Sequence, residues 1–259
     1  KPTWQPCSAE RRYRNPMTAF KTAEFYEILG NAGGRLEREG SFLLEALAEA
    51  PSTHVADLAC GLGLHALFLA EHGGEVHAFD LSPEMIDHAR NRRPHPNLTY
   101  TVGDMCTLSG GPYGLVLCLG NSLCLLDSAH KVKVFFQGVH GHLLPGGLCI
   151  TQTLNYETPV MKRPRIRVEG AEVQGGEIAA IKRFLPEGDH THLSIDYLGV
   201  ALGDMLQASE SFTLYHWNER QLSEIAENTG LQVKGCYGGY DRKPFREDTP
   251  DMVLITQKP

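Results

Sequence analysis

From residue 51 onward, short apolar runs alternate with amphipathic stretches of helical length. The runs His54 to Ala59, Glu75 to Asp80, Leu98 to Gly103, Leu115 to Leu119 and Leu148 to Leu154 read as strands. Between them, Leu64 to His72, Pro83 to Asn91 and Ser128 to Leu143 read as helices, so this stretch predicts βαβ units and a doubly wound α/β sheet. Ser82 can cap the second of these helices, and Pro83 suits its first position, where no N–H partner is needed. Upstream, helical patterns over Ala19 to Leu29 and Arg35 to Ala48 flank Gly30-Asn31-Ala32-Gly33-Gly34 and predict an N-terminal helical segment.

The pattern changes after Asn155. Arg165 to Glu169, Ile178 to Leu185, His192 to Val200 and Gln207 to Leu214 are β-rich runs joined by Gly and Asp turns without a helix, which predicts an antiparallel insertion. A helix resumes after Asn218, whose side chain can form a capping box with Gln221, and it stops at Gly230. Two final runs, Leu231 to Tyr237 and Met252 to Gln257, are expected to pair antiparallel. The implied organisation is a helical segment over 1–50, an α/β domain from 51–155 and 215–259, and an insertion over 156–214 that covers a substrate site.

Composition narrows the function. The chain has 259 residues, enough for a large core, and 31 acidic against 24 basic residues give a net charge of −7. Nucleic acid is therefore not the expected partner, since that affinity depends on phosphate neutralisation. No apolar run approaches the length of a membrane span, so a soluble chain is expected. Seven scattered cysteines without a CxxC pair read as reduced thiols of a cytoplasmic protein. The opening Lys1-Pro2-Thr3-Trp4-Gln5-Pro6, without Met or an apolar signal region, reads as a trimmed start. Monomer and homo-oligomer both stay open, because interface and core residues look alike in sequence.

The chemistry concentrates in Asp57-Leu58-Ala59-Cys60-Gly61-Leu62-Gly63-Leu64-His65-Ala66, a strand that runs through Gly-x-Gly directly into a helix. Such a turn brings bare backbone against a nucleotide-like ligand. Nineteen residues after Gly61, Asp80 ends the second strand, where a carboxylate can accept from both ribose hydroxyls. Gly61-x-Gly63-x-x-Ala66 also satisfies the dinucleotide fingerprint, so an NAD-dependent oxidoreductase is one alternative. Asp57 opposes it: a carboxylate at the strand end repels a pyrophosphate and suits a cofactor bearing an ammonium group, which points to S-adenosylmethionine. Asp104 can accept from the adenine amino group while Met105 packs the ring, and Gly120-Asn121-Ser122 ends the fourth strand where the methyl group would point. Ala59, Leu81, Met85 and Leu119 complete the expected cofactor-binding set.

These segments resemble the class I S-adenosylmethionine-dependent methyltransferases, with a Rossmann-like sheet. The resemblance is closer to the glycine and sarcosine N-methyltransferase group. It is carried by Asp57 to Gly63, Val116 to Ser122, Leu144 to Leu148, Asn155-Tyr156 and Leu193 to Tyr197. It implies that Arg35 holds the methionine carboxylate, that Asn121 helps hold the substrate, and that Tyr197 lies near the sulfonium. S-adenosylhomocysteine would be the product. Tyr26, Tyr156 and Tyr240 are expected substrate walls, the last because Tyr240 to Phe245 is similar to a segment at the family's active-site rim. Two departures matter: Leu154 stands where the glycine enzymes carry a carboxylate-binding arginine, and Leu125 replaces a family histidine. A larger or less charged acceptor than glycine follows, through nitrogen or, alternatively, oxygen with His216 as base. A non-catalytic S-adenosylmethionine-binding module is a further alternative.

The remaining clusters carry less. His140-Gly141-His142 and His190-Thr191-His192 lack Cys or carboxylate company at metal-ligand spacing in sequence, so no metal is expected. The basic run from Lys162 to Arg167 reads as a solvated loop, and Arg90, Arg92 and Arg93 suit the end of a helix.

Overall fold

A computed structural model describes residues 22–30 and 34–259. The helical expectation at Ala19, Thr22's neighbour Lys21 and the intervening Phe20 lies outside the described residues, as do Asn31-Ala32-Gly33, Cys7 and the first residues of the chain. The elements are α1 (Thr22–Gly30), α2 (Arg35–Glu49), β1 (His54–Leu58), α3 (Leu64–Glu71), β2 (Glu75–Asp80), α4 (Pro83–Arg92), β3 (Leu98–Val102) and β4 (Tyr113–Cys118). A 3-10 turn, Ser122–Leu125, then precedes α5 (Ala129–His142) and β5 (Leu143–Leu154). The insertion is β6 (Arg165–Val173), β7 (Gly176–Glu187), β8 (His190–Ala201) and β9 (Asp204–Tyr215), and the chain closes with α6 (Glu219–Glu227), β10 (Gln232–Tyr237) and β11 (Asp251–Gln257).

The main sheet has the order β10-β11-β5-β4-β1-β2-β3, parallel from β5 through β3, with β11 antiparallel to both β5 and β10. Alternation along each strand serves two helical layers. Val55, Leu115, Leu117 and Ile150 face Phe42 and Leu43 of α2, Leu69 of α3 and Ile86 of α4. Their neighbours Ala56, Leu58, Val116 and Cys118 face Phe135, Phe136 and Val139 of α5 and Leu222 of α6. Burial on both faces explains why the parallel strands read as continuous apolar runs. The expected caps form: Ser82 accepts from the Met85 N–H, and Asn218 and Gln221 close their capping box.

β6 to β9 form a separate antiparallel meander. Its strands run longer than the apolar runs alone indicate, because Gly170 and Gly199 lie inside β6 and β8 and not at their ends. One face of the meander packs on α1, where Phe25 and Leu29 meet Ile178, Ala180, Ile195, Tyr197 and Leu206. Among the described residues no helix is long and apolar enough to cross a membrane.

Candidate active site

The chain reverses its progress across the sheet between β1 and β4, and at that switch point the strand ends open into a cavity of ≈ 1050 Å³. The turn after β1 takes left-handed backbone at Ala59 (φ 55°), Gly61 (φ 55°) and Gly63 (φ 75°). A side chain on Gly63 would fall 2.5 Å from the Tyr100 hydroxyl, so this glycine is required by packing. Gly61 differs: a Cβ there would meet nothing within 4 Å, because its Cα faces the cavity.

Asp80 organises this turn. Its carboxylate accepts from the Gly61 N–H at 2.8 Å and from the Ser82 N–H at 2.9 Å, one bond to each oxygen. Both oxygens keep lone-pair capacity for a diol in the cavity. Leu81, which is exposed, and Met85 lie beside it on the wall. On the next strand end, Asp104 accepts from the Cys106 N–H at 2.8 Å, and the Met105 sulfur lies 3.9 Å from the Cys118 thiol.

Asp57 is only 1% exposed, and its Oδ2 has no hydrogen-bond partner within the protein. Burial pushes its carboxyl up to about 6; the His65 and Arg35 charges oppose the rise and Asp80 adds to it. Close by, buried Glu39 bonds the His65 ring at 2.6 Å and accepts from Arg35 Nε at 3.3 Å. For Glu39 burial alone would raise the carboxyl, but the His65 hydrogen bond and the charges of His65 and Arg35 hold it below the usual range. Arg35 begins α2 and extends toward the turn after β4, where a Cβ on Gly120 would lie 3.1 Å from its Nη2.

Tyr26, Arg35, Asp57, Ala59 and Gly61 therefore share one cavity with Asp80, Leu81, Met85, Asp104, Met105, Leu119 and Asn121. Asn121, at φ 66°, is held tightly: its Oδ1 accepts from the Leu154 N–H at 2.8 Å and its Nδ2 donates to the Tyr156 hydroxyl at 2.8 Å. The other expected residues stand behind the wall. Gly63 lies under Tyr100, and Tyr156 is buried beneath Asn121 with its ring stacked on His216 at 4.2 Å. The His216 Nε2 bonds Thr191 Oγ1 at 2.9 Å, and burial lowers the imidazole's basicity. Tyr240 packs edge-on against Phe42 with its hydroxyl buried and unpartnered. Tyr197, 2% exposed, stacks on Phe25 and donates to Glu210 Oε1 at 2.6 Å.

Glu210 itself lines the cavity, with Phe212 and Leu214 of the same strand and Leu193 of β8. Glu210, Phe212 and Leu214 did not stand out from the sequence. Their signal was the alternation Glu210, Phe212, Leu214, a lone carboxylate on an otherwise apolar strand face. Glu39 and His65 offered no such signal, because nothing in sequence links positions 26 apart.

The arrangement suits a zwitterion joined to a nucleoside. The partnerless Asp57 oxygen calls for a donor, Arg35 supplies a cation, Gly61 leaves backbone bare, and each Asp80 oxygen can accept a further hydrogen bond. Comparison with known proteins agrees. A methyltransferase domain model matches residues 55–147. A glycine/sarcosine N-methyltransferase of Parasynechococcus marenigrum (strain WH8102) is 33% identical over 80% of this chain and 73% of its own. The dTDP-3-amino-3,6-dideoxy-alpha-D-glucopyranose N,N-dimethyltransferase of Streptomyces fradiae is 27% identical over 84% of this chain and 86% of its own. In fold, an S-adenosylmethionine-dependent methyltransferase from Clostridium acetobutylicum ATCC 824 superposes with a TM-score of 0.79 at 19% identity, covering 91% of this chain and 97% of that one. The chain belongs to the class I S-adenosylmethionine-dependent methyltransferases. Its cofactor is S-adenosylmethionine, and the NAD-dependent alternative falls away.

Proposed function

We propose that this enzyme methylates the nitrogen of a small amine that is larger and less acidic than glycine, with the amino-sugar class favoured, and that the insertion roofs the acceptor. The observation that carries the reading is Glu210, a carboxylate fixed by the Tyr197 hydroxyl in the insertion's part of the cavity wall. A fixed negative charge attracts an acceptor that arrives as an ammonium ion, and the Glu210 carboxylate offers a place for the proton that the nitrogen must give up before its lone pair attacks the methyl carbon and the carbon–sulfur bond breaks. Around it, Leu125, Phe212 and Leu214 are apolar, and the resemblance to the glycine enzymes places Leu154, packed behind the wall against Tyr156 and Leu214, at their arginine position. The names of the two curated relatives, both N-methyltransferases, support nitrogen as the acceptor.

When bound, S-adenosylmethionine supplies an electrophilic methyl carbon on a sulfonium. The protein's part is alignment, which can contribute about 7–11 kcal/mol by avoiding entropy loss and solvent reorganisation at the moment of reaction. Arg35 and Asp57 would hold the amino-acid end and Asp80 the ribose. Asp104 and Met105 would hold the adenine. Asn121, fixed from two sides, would present its remaining N–H toward the acceptor, and Tyr26 would border it. Burial first, and then the Glu210 carboxylate, raises the Tyr26 phenol well above its ordinary range, so it stays a neutral donor. His216, bonded to Thr191 and stacked on Tyr156, gives no support to a base-assisted transfer to oxygen.

The test is a panel of amino sugars, amino acids and phenols incubated with S-adenosylmethionine and followed by mass. The expected outcome is a methylated amine, with Glu210→Gln lowering kcat/KM about tenfold while S-adenosylhomocysteine affinity stays nearly constant. Transfer confined to hydroxyl acceptors would refute the nitrogen reading, and a Glu210→Gln variant with unchanged kcat/KM would remove Glu210 from it.

A further inference from the structure

The β7–β8 hairpin turns through Gly188 and Asp189, with Gly188 at φ 59°. A two-residue turn with a glycine in left-handed backbone fixes the strand register tightly. That register places Glu187 directly opposite His190, while His192, two residues on, shares the His190 face. Glu187, three residues before His190 in the chain, is thus brought to face it across the hairpin turn.

The contact distances are specific. His190 Nε2 and His192 Nε2 lie 3.2 Å apart, and His192 Nε2 lies 3.5 Å from Glu187 Oε2. Four ligands at about 2.0–2.2 Å from a tetrahedral zinc ion are separated from one another by about 3.4 Å. The other nitrogen of each ring is occupied: His190 Nδ1 bonds Asp189 Oδ1 at 3.0 Å, and His192 Nδ1 lies 3.4 Å from Thr213 Oγ1. A ring that donates Nδ1–H to a carboxylate presents a bare lone pair at Nε2, the arrangement in which histidine binds metals. Where Thr213 Oγ1 accepts from His192 Nδ1–H, the two Nε2 lone pairs converge on a point a cation can occupy; where Thr213 donates, His192 Nε2–H bonds His190 Nε2 and an entering cation displaces that proton.

We infer that Glu187, His190 and His192 form a binding site for a divalent transition-metal cation of the zinc type, with Asp189 orienting His190. Among metals, two imidazoles and one carboxylate favour zinc over magnesium or calcium, which prefer oxygen ligands. The site is separate from the methyl-transfer cavity, which none of the three residues lines. It is coupled to that cavity through the backbone: the Asp189 carbonyl accepts from the His216 N–H at 2.8 Å, and His216 stacks on Tyr156, which Asn121 holds. A bound cation would therefore clasp the hairpin tip that fixes the support behind Asn121.

The experiment uses the untagged full chain, stripped with chelator and titrated with Zn²⁺ alone. The expected result is one equivalent bound at about 10 µM or tighter, with Co²⁺ giving the intense visible absorption of a four- or five-coordinate site. The double variant His190→Ala/His192→Ala should lose this binding, Glu187→Gln should weaken it about tenfold, and His54→Gln should leave it unchanged. Retained S-adenosylhomocysteine affinity verifies that the double variant is folded. No binding by about 100 µM Zn²⁺, or binding that survives the double substitution, overturns the site.

Discussion

Asp57, near the end of β1, is the residue we propose for the cofactor's ammonium group. Its buried carboxylate lacks one partner inside the protein, so ionising it costs free energy until a ligand ammonium arrives. The folded group titrates near 6 against an ordinary 3.8; between those values the folded chain keeps a proton that the unfolded chain has released. Stability of the ligand-free protein should therefore fall as pH climbs through that window, by on the order of 3 kcal/mol from this residue. Asp57→Asn should lack that loss in stepped-pH urea unfolding and should bind S-adenosylhomocysteine at least about tenfold more weakly at neutral pH. An unchanged slope would remove Asp57 as the source. Asp80 holds the Gly61 and Ser82 N–H groups, and we propose that it also accepts from the ribose. Asp80→Ala should weaken S-adenosylhomocysteine binding about a hundredfold by titration, and an unchanged affinity would contradict the assignment. Gly61→Val should abolish binding, because its branched side chain would occupy the open space at left-handed φ.

At the level of elements, α1 joins the sheet domain to the insertion. Phe25 and Leu29 pack on the meander, while Glu27 accepts from Arg93 Nη1 and Nη2 at 2.7 and 2.8 Å. Arg93 is thus a buried tie between α4 and α1, where the sequence offered only a cation near a helix end. Glu27→Gln should lower stability by about 2 kcal/mol and Tm by about 5 °C, and protease cleavage should rise in α1. The Arg93 hydrogen bond holds the Glu27 carboxyl below its usual range, so the tie is present at neutral pH and is lost on acidification. Elements of this kind show what the sequence could reveal. The Gly turn and the Asp80 that accepts from its Gly61 N–H were legible because local backbone geometry demands such residue types at fixed spacing, while the ligand contacts of Asp57 and Asp80 are proposals. Glu210 and Arg93 were not legible, since their roles depend on strands and helices brought together from far along the chain.

At the scale of the molecule, the alternation of buried runs and amphipathic helices was enough to predict the doubly wound sheet and the antiparallel closing pair. Left unspecified was the position of β11, which enters between β5 and β10. Pairing order is a non-local choice, made by the match between Met252 to Ile255 and the two helical layers. The insertion was visible as a change of period, yet its inward face, which we propose receives the acceptor, emerged only when Tyr197 and Glu210 met across adjacent strands. We place S-adenosylmethionine in the cavity at the strand ends. The check is isothermal titration of the full chain with S-adenosylhomocysteine, with NAD as control. Micromolar binding of S-adenosylhomocysteine alone, lost in Asp80→Ala, is the predicted result; binding of NAD alone, or of neither ligand, would contradict the account.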